Sequence, residues 1–284
     1  MKKTLPLLLL LSLLLSPTLS AAQEIIEQQS VQAGRYINQE NHHALQIPII
    51  RYQGNDKTSY VDIVGAVHVG DAAYYQNLNK RFKEYDVVLF EAVMPEGGQI
   101  PQNQALAEQG PLTMLQRGMK NVLNLTFQLD EVDYQADNFV HADMTPKEMS
   151  QSMERKGESL ITMAIKMWRI GLVQQLSGKS SMNNADLFMA LLGEDPSYQL
   201  KIMMAKELVN MDSALSALEG SEGGTLISER NKKALQVLKQ EMLNSKNKHI
   251  AIFYGSGHLK DMGQRLIDQF DLHPVSVEWV DAWN

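Results

Sequence analysis

Apolar and polar positions alternate with a short period near the amino end of the chain and again near its carboxyl end. Between the two lies a long stretch with the period of helices. Ile47 to Tyr52 and Ser59 to Gly65 are runs rich in Ile, Val and Tyr, separated by Gly54-Asn55-Asp56-Lys57. Strand-forming runs joined by turn residues predict a β-hairpin. Asp71 to Tyr85 follows with Tyr74, Leu78 and Phe82 spaced for one helix face, and Val87 to Val93 is an apolar run of strand length. Strand, helix, strand in that order predicts a βαβ unit with the two strands paired in parallel. Residues 23–42 are polar and read as a loose lead-in.

From about 104 to 245 the pattern predicts a large helical insert. Pro111 to Leu123, Leu160 to Leu176, Pro196 to Leu218 and Thr225 to Asn244 have helical spacing, with Gly220 to Gly224 as a break. Thr145-Pro146-Lys147-Glu148 is a capping box with proline at the first helical position, a firm helix start. Lys248 to Tyr254, Leu259 to Phe270 and Pro274 to Val280 then restore strand, helix, strand. The fold expected is α/β: a mixed central sheet, two strand-Gly-x-x-His-helix units and the central insert.

The extreme amino end does not fit this scheme. Lys2 and Lys3 precede an almost pure leucine run from Leu5 to Leu15, and Ser20-Ala21-Ala22 then offers small residues before Gln23. This is the layout of a secretory signal peptide over 1–22, leaving one domain over 23–284. The run is short for a membrane span, which needs about 20 residues, so no stable span is expected after cleavage. The chain has no cysteine, hence no disulfide, no thiolate ligand and no lipid attachment point. A periplasmic or secreted protein is expected. Its formal charge of −7, more negative once the two lysines are removed, argues against nucleic acid as a partner. Sixteen methionines, including Met149/Met153 and Met163/Met167 at helical spacing, suit irregular core packing better than a copper site.

Two copies of one motif carry the chemistry. Gly65-Ala66-Val67-His68-Val69-Gly70-Asp71 and Gly255-Ser256-Gly257-His258-Leu259-Lys260-Asp261 both read Gly-x-x-His-x-x-Asp, 190 positions apart (258 minus 68). Each follows a strand and opens onto a helix. Ligands in open α/β sheets bind at the carboxyl ends of strands, so the two imidazoles would stand at one sheet edge. Glu91, directly after Val87-Val88-Leu89-Phe90, would stand there too. Two histidines and a carboxylate suit one divalent cation such as zinc, manganese, cobalt or iron. Two histidines also suit haem, so a non-catalytic extracytoplasmic protein binding haem, metal or peptide is the alternative. Asp71 and Asp261 read as helix caps or as partners of the imidazoles. A cationic group is expected in the site, and the residues alone do not rank Arg230 above Lys232 or Lys233.

The chain resembles the TraB/GumN/Tiki superfamily, related in fold to erythromycin-esterase and ChaN-like proteins. The resemblance spans about 45–280. It rests on Gly65-Ala66-Val67-His68, the strand ending in Glu91, His141-Ala142-Asp143-Met144-Thr145, Glu229-Arg230-Asn231 and Gly255-Ser256-Gly257-His258-Leu259. It implies a metal-dependent, peptidase-like hydrolase with His68, His258 and Glu91 at the metal and Arg230 in the site.

Overall fold

The computed structural model describes residues 21–39, 42–100, 125–159, 161–163, 165–166, 169, 192, 195–206 and 223–284. The segment read as a signal peptide, apart from its last two residues, lies outside them. So do the helix expected over Pro111 to Leu123 and most of the one from Leu160.

The described strands form one large sheet and a two-stranded flap. β1 (Arg35–Gln39) and β2 (His42–Gln53) are antiparallel, as are β2 and β3 (Tyr60–Ala66). The long β9 (His273–Trp283) runs antiparallel along the opposite edge of β2. Beyond β3 the sheet turns parallel, through β8 (His249–Gly255), β5 (Val87–Phe90) and β7 (Phe139–His141). β4 (Val69–Gly70) and β6 (Thr126–Phe127) make the flap.

Helices cover both faces. α1 (Ala72–Phe82) packs Tyr74, Tyr75, Leu78 and Phe82 against Val64, Val88, Ala251 and Phe253. On the other face α4 (Arg230–Met242) and α5 (Leu259–Phe270) pack Leu235, Leu238, Met262 and Leu266 against Ile63, Leu89 and Ile252. The alternation of Ala251 and Phe253 with Ile250, Ile252 and Tyr254 between the two cores is the two-residue period of a strand buried on both sides. Of the shorter helices, α2 is Gln128–Glu131 and α3 is Pro146–Arg155.

The hairpin, α1, α5 and the capping box at Thr145 stand where the pattern put them. The box is complete: Thr145 accepts from the Glu148 amide, and Glu148 accepts from the Thr145 amide. Three features differ. Residues 21–30 are helical and 35–39 form β1, so the lead-in is built structure, tied down by Gln23 donating to the Pro274 carbonyl. β3 and β5 are parallel but not neighbours, because β8 inserts between them. The stretch expected to be a helical insert contributes a strand of its own, β7, to the main sheet.

That strand order decides the site. The ladder sets Ala66 beside Gly255, Phe253 beside Phe90, and Phe90 beside His141. Four parallel strands therefore end in line, and the residues that follow them stand along one edge. Among the described residues no helix is long and apolar enough to cross a membrane.

Candidate active site

Each strand end delivers one side chain. Glu91 directly follows β5, Asp143 lies two residues past β7, and His258 closes the 3-10 turn (Ser256–His258) after β8. Arg230 arrives from the other side, as the first residue of α4. It is preceded by a π turn over Thr225–Glu229, a local widening of the helix of the kind frequent at functional positions.

These four residues form a nearly closed polar cluster. Arg230 grips Asp143 with Nε to Oδ1 at 3.0 Å and Nη2 to Oδ2 at 2.5 Å, and its Nη2 also donates to Glu91 Oε1 at 2.7 Å. Glu91 Oε2 accepts from the Gly255 amide at 2.6 Å. A Cβ at 255 would stand 3.2 Å from Oε2, so any larger residue would crowd the carboxylate. A charged pair this deep holds only when the remaining lone pairs and protons are satisfied, and here both carboxylates are.

His258 faces this cluster. Its side chain is 6% exposed, and its Nε2 lies 3.7 Å from Glu91 Oε1. Its Nδ1 lies 2.6 Å from Asn231 Oδ1, while Asn231 Nδ2 donates to the His258 carbonyl and to Asp261 Oδ2. Asp261 in turn accepts from Arg265, four residues on along α5.

The electrostatics follow from burial and from these partners. Burial opposes the charge on Glu91, but His258, Arg230 and the Gly255 amide outweigh it and bring the carboxyl down to about 2. Burial pushes the His258 imidazole down to about 4, assisted by Arg230 and resisted by Glu91. Burial likewise works against the Arg230 charge, but Asp143 and Glu91 more than compensate and raise its pKa. Near neutral pH the edge thus carries a neutral imidazole beside an ionised carboxylate. One guanidinium stands against two carboxylates, which leaves an excess negative charge.

His68 has a different setting. It is exposed, and its Nδ1 lies 3.2 Å from Gln128 Oε1. Gln128 begins α2, its amide donates to the His68 carbonyl, and its Nε2 donates to Tyr134 Oη. Asp71 sits at the N-cap position of α1 without a side-chain cap bond. It accepts from Lys201 Nζ at 3.0 Å and from the Asn284 amide at 2.9 Å.

The structure therefore gathers His258, Glu91 and Arg230, and holds His68 on the end of the strand beside β8. His258 Nε2 and the Glu91 carboxylate, donors of the kinds that hold a divalent cation, lie side by side, with both Glu91 oxygens already accepting from Arg230 and the Gly255 amide. At 3.7 Å the pair is slightly wider than the roughly 3.3–3.6 Å that ligand bonds of about 2.0–2.2 Å set in a tetrahedral site. Among the described residues no group of three or more His, Asp or Glu is disposed to hold a metal ion. Sequence reasoning assigns no role to Asp143, Asn231 or Gln128. The first two lie inside quoted motif runs, and Gln128 carries no local signal. Lys232 and Lys233 pair instead with Glu229 and Glu148, so of the three cations Arg230 is the one that joins the cluster. No family model, curated protein or solved structure matches this chain, so the likeness to TraB/GumN/Tiki proteins rests on the quoted motifs.

Proposed function

We propose that this chain is an exported hydrolase, peptidase-like, acting on an amide or ester bond of a peptide at the edge formed by β3, β8 and β5. The observation that carries this reading is the His258–Glu91 pair: a buried neutral imidazole with Nδ1 held by Asn231 and Nε2 facing an anchored carboxylate.

His258 Nε2 accepts a proton from the attacking water, and Glu91 stabilises the imidazolium that results. Arg230 anchors Glu91. Its Nη1, bonded only weakly at 3.5 Å to the Leu226 carbonyl, is the donor left for the tetrahedral oxyanion. When the intermediate collapses, the proton passes from Nε2 to the departing amine or alcohol. Were a divalent cation bound, His258 Nε2 and Glu91 would be its donors instead of base and partner, and the cation would itself polarise the carbonyl and acidify a water. Export to the periplasm or the medium follows from the leader pattern over 1–22.

The test is hydrolysis of a panel of chromogenic esters and fluorogenic peptide amides by the chain beginning at Gln23. It is assayed as purified, after chelation, and after return of zinc, manganese, cobalt or iron. Turnover that survives chelation is expected if His258 is the base, and turnover lost on chelation and restored by one of these ions is expected if His258 and Glu91 are metal donors. A folded protein that hydrolyses nothing in any preparation would overturn the proposal.

A further inference from the structure

The two motif histidines share one feature that the motif itself does not supply. Each has its Nδ1 against the oxygen of a side-chain amide from elsewhere in the chain: Asn231 for His258 at 2.6 Å, Gln128 for His68 at 3.2 Å. For Asn231 the amide orientation follows from the other bonds it makes. Asn231 Nδ2 donates to a carbonyl and to a carboxylate, His258 O and Asp261 Oδ2, neither of which can donate in return. Its oxygen must therefore face the ring. Gln128 is placed the same way, with its oxygen toward His68 and its Nε2 toward Tyr134 Oη. An oxygen acceptor at Nδ1 requires the proton on Nδ1, and the lone pair is then on Nε2.

We propose that Asn231 and Gln128 are positioning residues that fix both motif histidines as Nδ1–H tautomers, presenting Nε2 lone pairs at the sheet edge. Neither amide touches substrate. Each acts through a histidine, and each is held by a further group. Asn231 is fully buried and braced by Asp261, itself tied to Arg265. Gln128 is buried and braced by Tyr134, whose ring packs near Phe90 and Phe253. The amide is suited to this because, unlike a carboxylate, it accepts the Nδ1 proton without adding charge beside the ring. The catalytic meaning of the tautomer rests on the proposed hydrolase, but the tautomer itself does not.

The experiment is long-range proton–nitrogen correlation on the chain from Gln23 with nitrogen-15 histidine, at neutral pH, as purified and after chelation. His68→Gln and His258→Gln assign the signals by their loss. Both rings should show the Nδ1–H pattern in both preparations, against the Nε2–H preference of free imidazole. A chelated protein with either ring in the Nε2–H form would overturn the proposal for that ring, whether or not the protein hydrolyses anything. Asn231→Leu should release His258 to mixed tautomers while His68 keeps its own. The wild-type tautomer itself remains informative if the leucine variant does not fold. In a hydrolysing preparation Asn231→Leu should lower kcat about 10–100-fold with KM little changed. An unchanged His258 tautomer in a folded Asn231→Leu protein would remove Asn231 from the role.

Discussion

The two Gly-x-x-His-x-x-Asp copies are identical in spacing and different in what the fold does with them. After β3 the chain passes through the β4 flap before α1 begins at Ala72, four residues beyond His68. After β8 a single 3-10 turn leads straight into α5, and His258 is the residue before that helix. The second histidine is thereby drawn under α4 and α5 and sealed, while the first stays in solvent. The aspartates diverge in the same way. Asp71 ties Lys201 and the terminal residue Asn284, whereas Asp261 reaches the imidazole through Asn231. A shared spacing fixes where along a sheet edge a side chain can stand. Burial and the next element decide whether it becomes a poised base or an exposed one.

The largest expected difference between the copies is in their ion pairs. Arg230→Met leaves Glu91 and Asp143 buried without their cation, and breaking a buried pair costs about 3–5 kcal/mol. Lys201→Met, at the more accessible Asp71, should cost less than about 1 kcal/mol, since Asp71 keeps the Asn284 amide. Urea unfolding of the two variants makes the comparison. Equal losses would mean that the second copy is no more deeply built than the first.

The glycines should separate in kind. A Cβ at Gly65 would stand 2.6 Å from Ile47 Cγ2 and 3.1 Å from the Pro48 carbonyl, so Gly65→Ala should destabilise by about 1–3 kcal/mol through overpacking. Gly255→Ala crowds only the Glu91 carboxylate, so it should cost less stability and proportionally more turnover. Thermal unfolding and kcat measured together check this.

A further effect is expected from pH. The His258 imidazole titrates near 4 in the fold against an ordinary value of 6.5, so between those values the unfolded chain binds a proton that the folded chain does not. Stability should therefore fall as pH drops from 6.5 to 4, by at most about 3 kcal/mol. Glu91, near 2 in the fold against 4.5, extends the loss below 4.5. His258→Gln should flatten the 6.5-to-4 part of the stability curve and also shrink the lower part, because His258 helps to hold the Glu91 pKa down.

Much of this edge was legible in the chain. The runs before Gly65, Glu91 and Gly255 are apolar enough to read as buried strands, and a carboxylate directly after such a run is conspicuous. Strand order was not legible. Nothing local in Lys248 to Tyr254 says that it inserts between β3 and β5, because both neighbours bury the same aliphatic faces. β7 has three residues, too few to show a period, so Asp143 at its end gave no sign of closing on Arg230. Gln128 is a polar residue in a four-residue helix, and its role exists only because the chain passes under His68 there.

The most direct measurement is turnover by His258→Gln in the chain from Gln23, with its fold verified by circular dichroism and its rate set against wild type on the same substrate. Loss of the buried base should lower kcat by at least about 100-fold. A folded His258→Gln protein that keeps the wild-type rate would contradict the assignment of the active edge to the second motif.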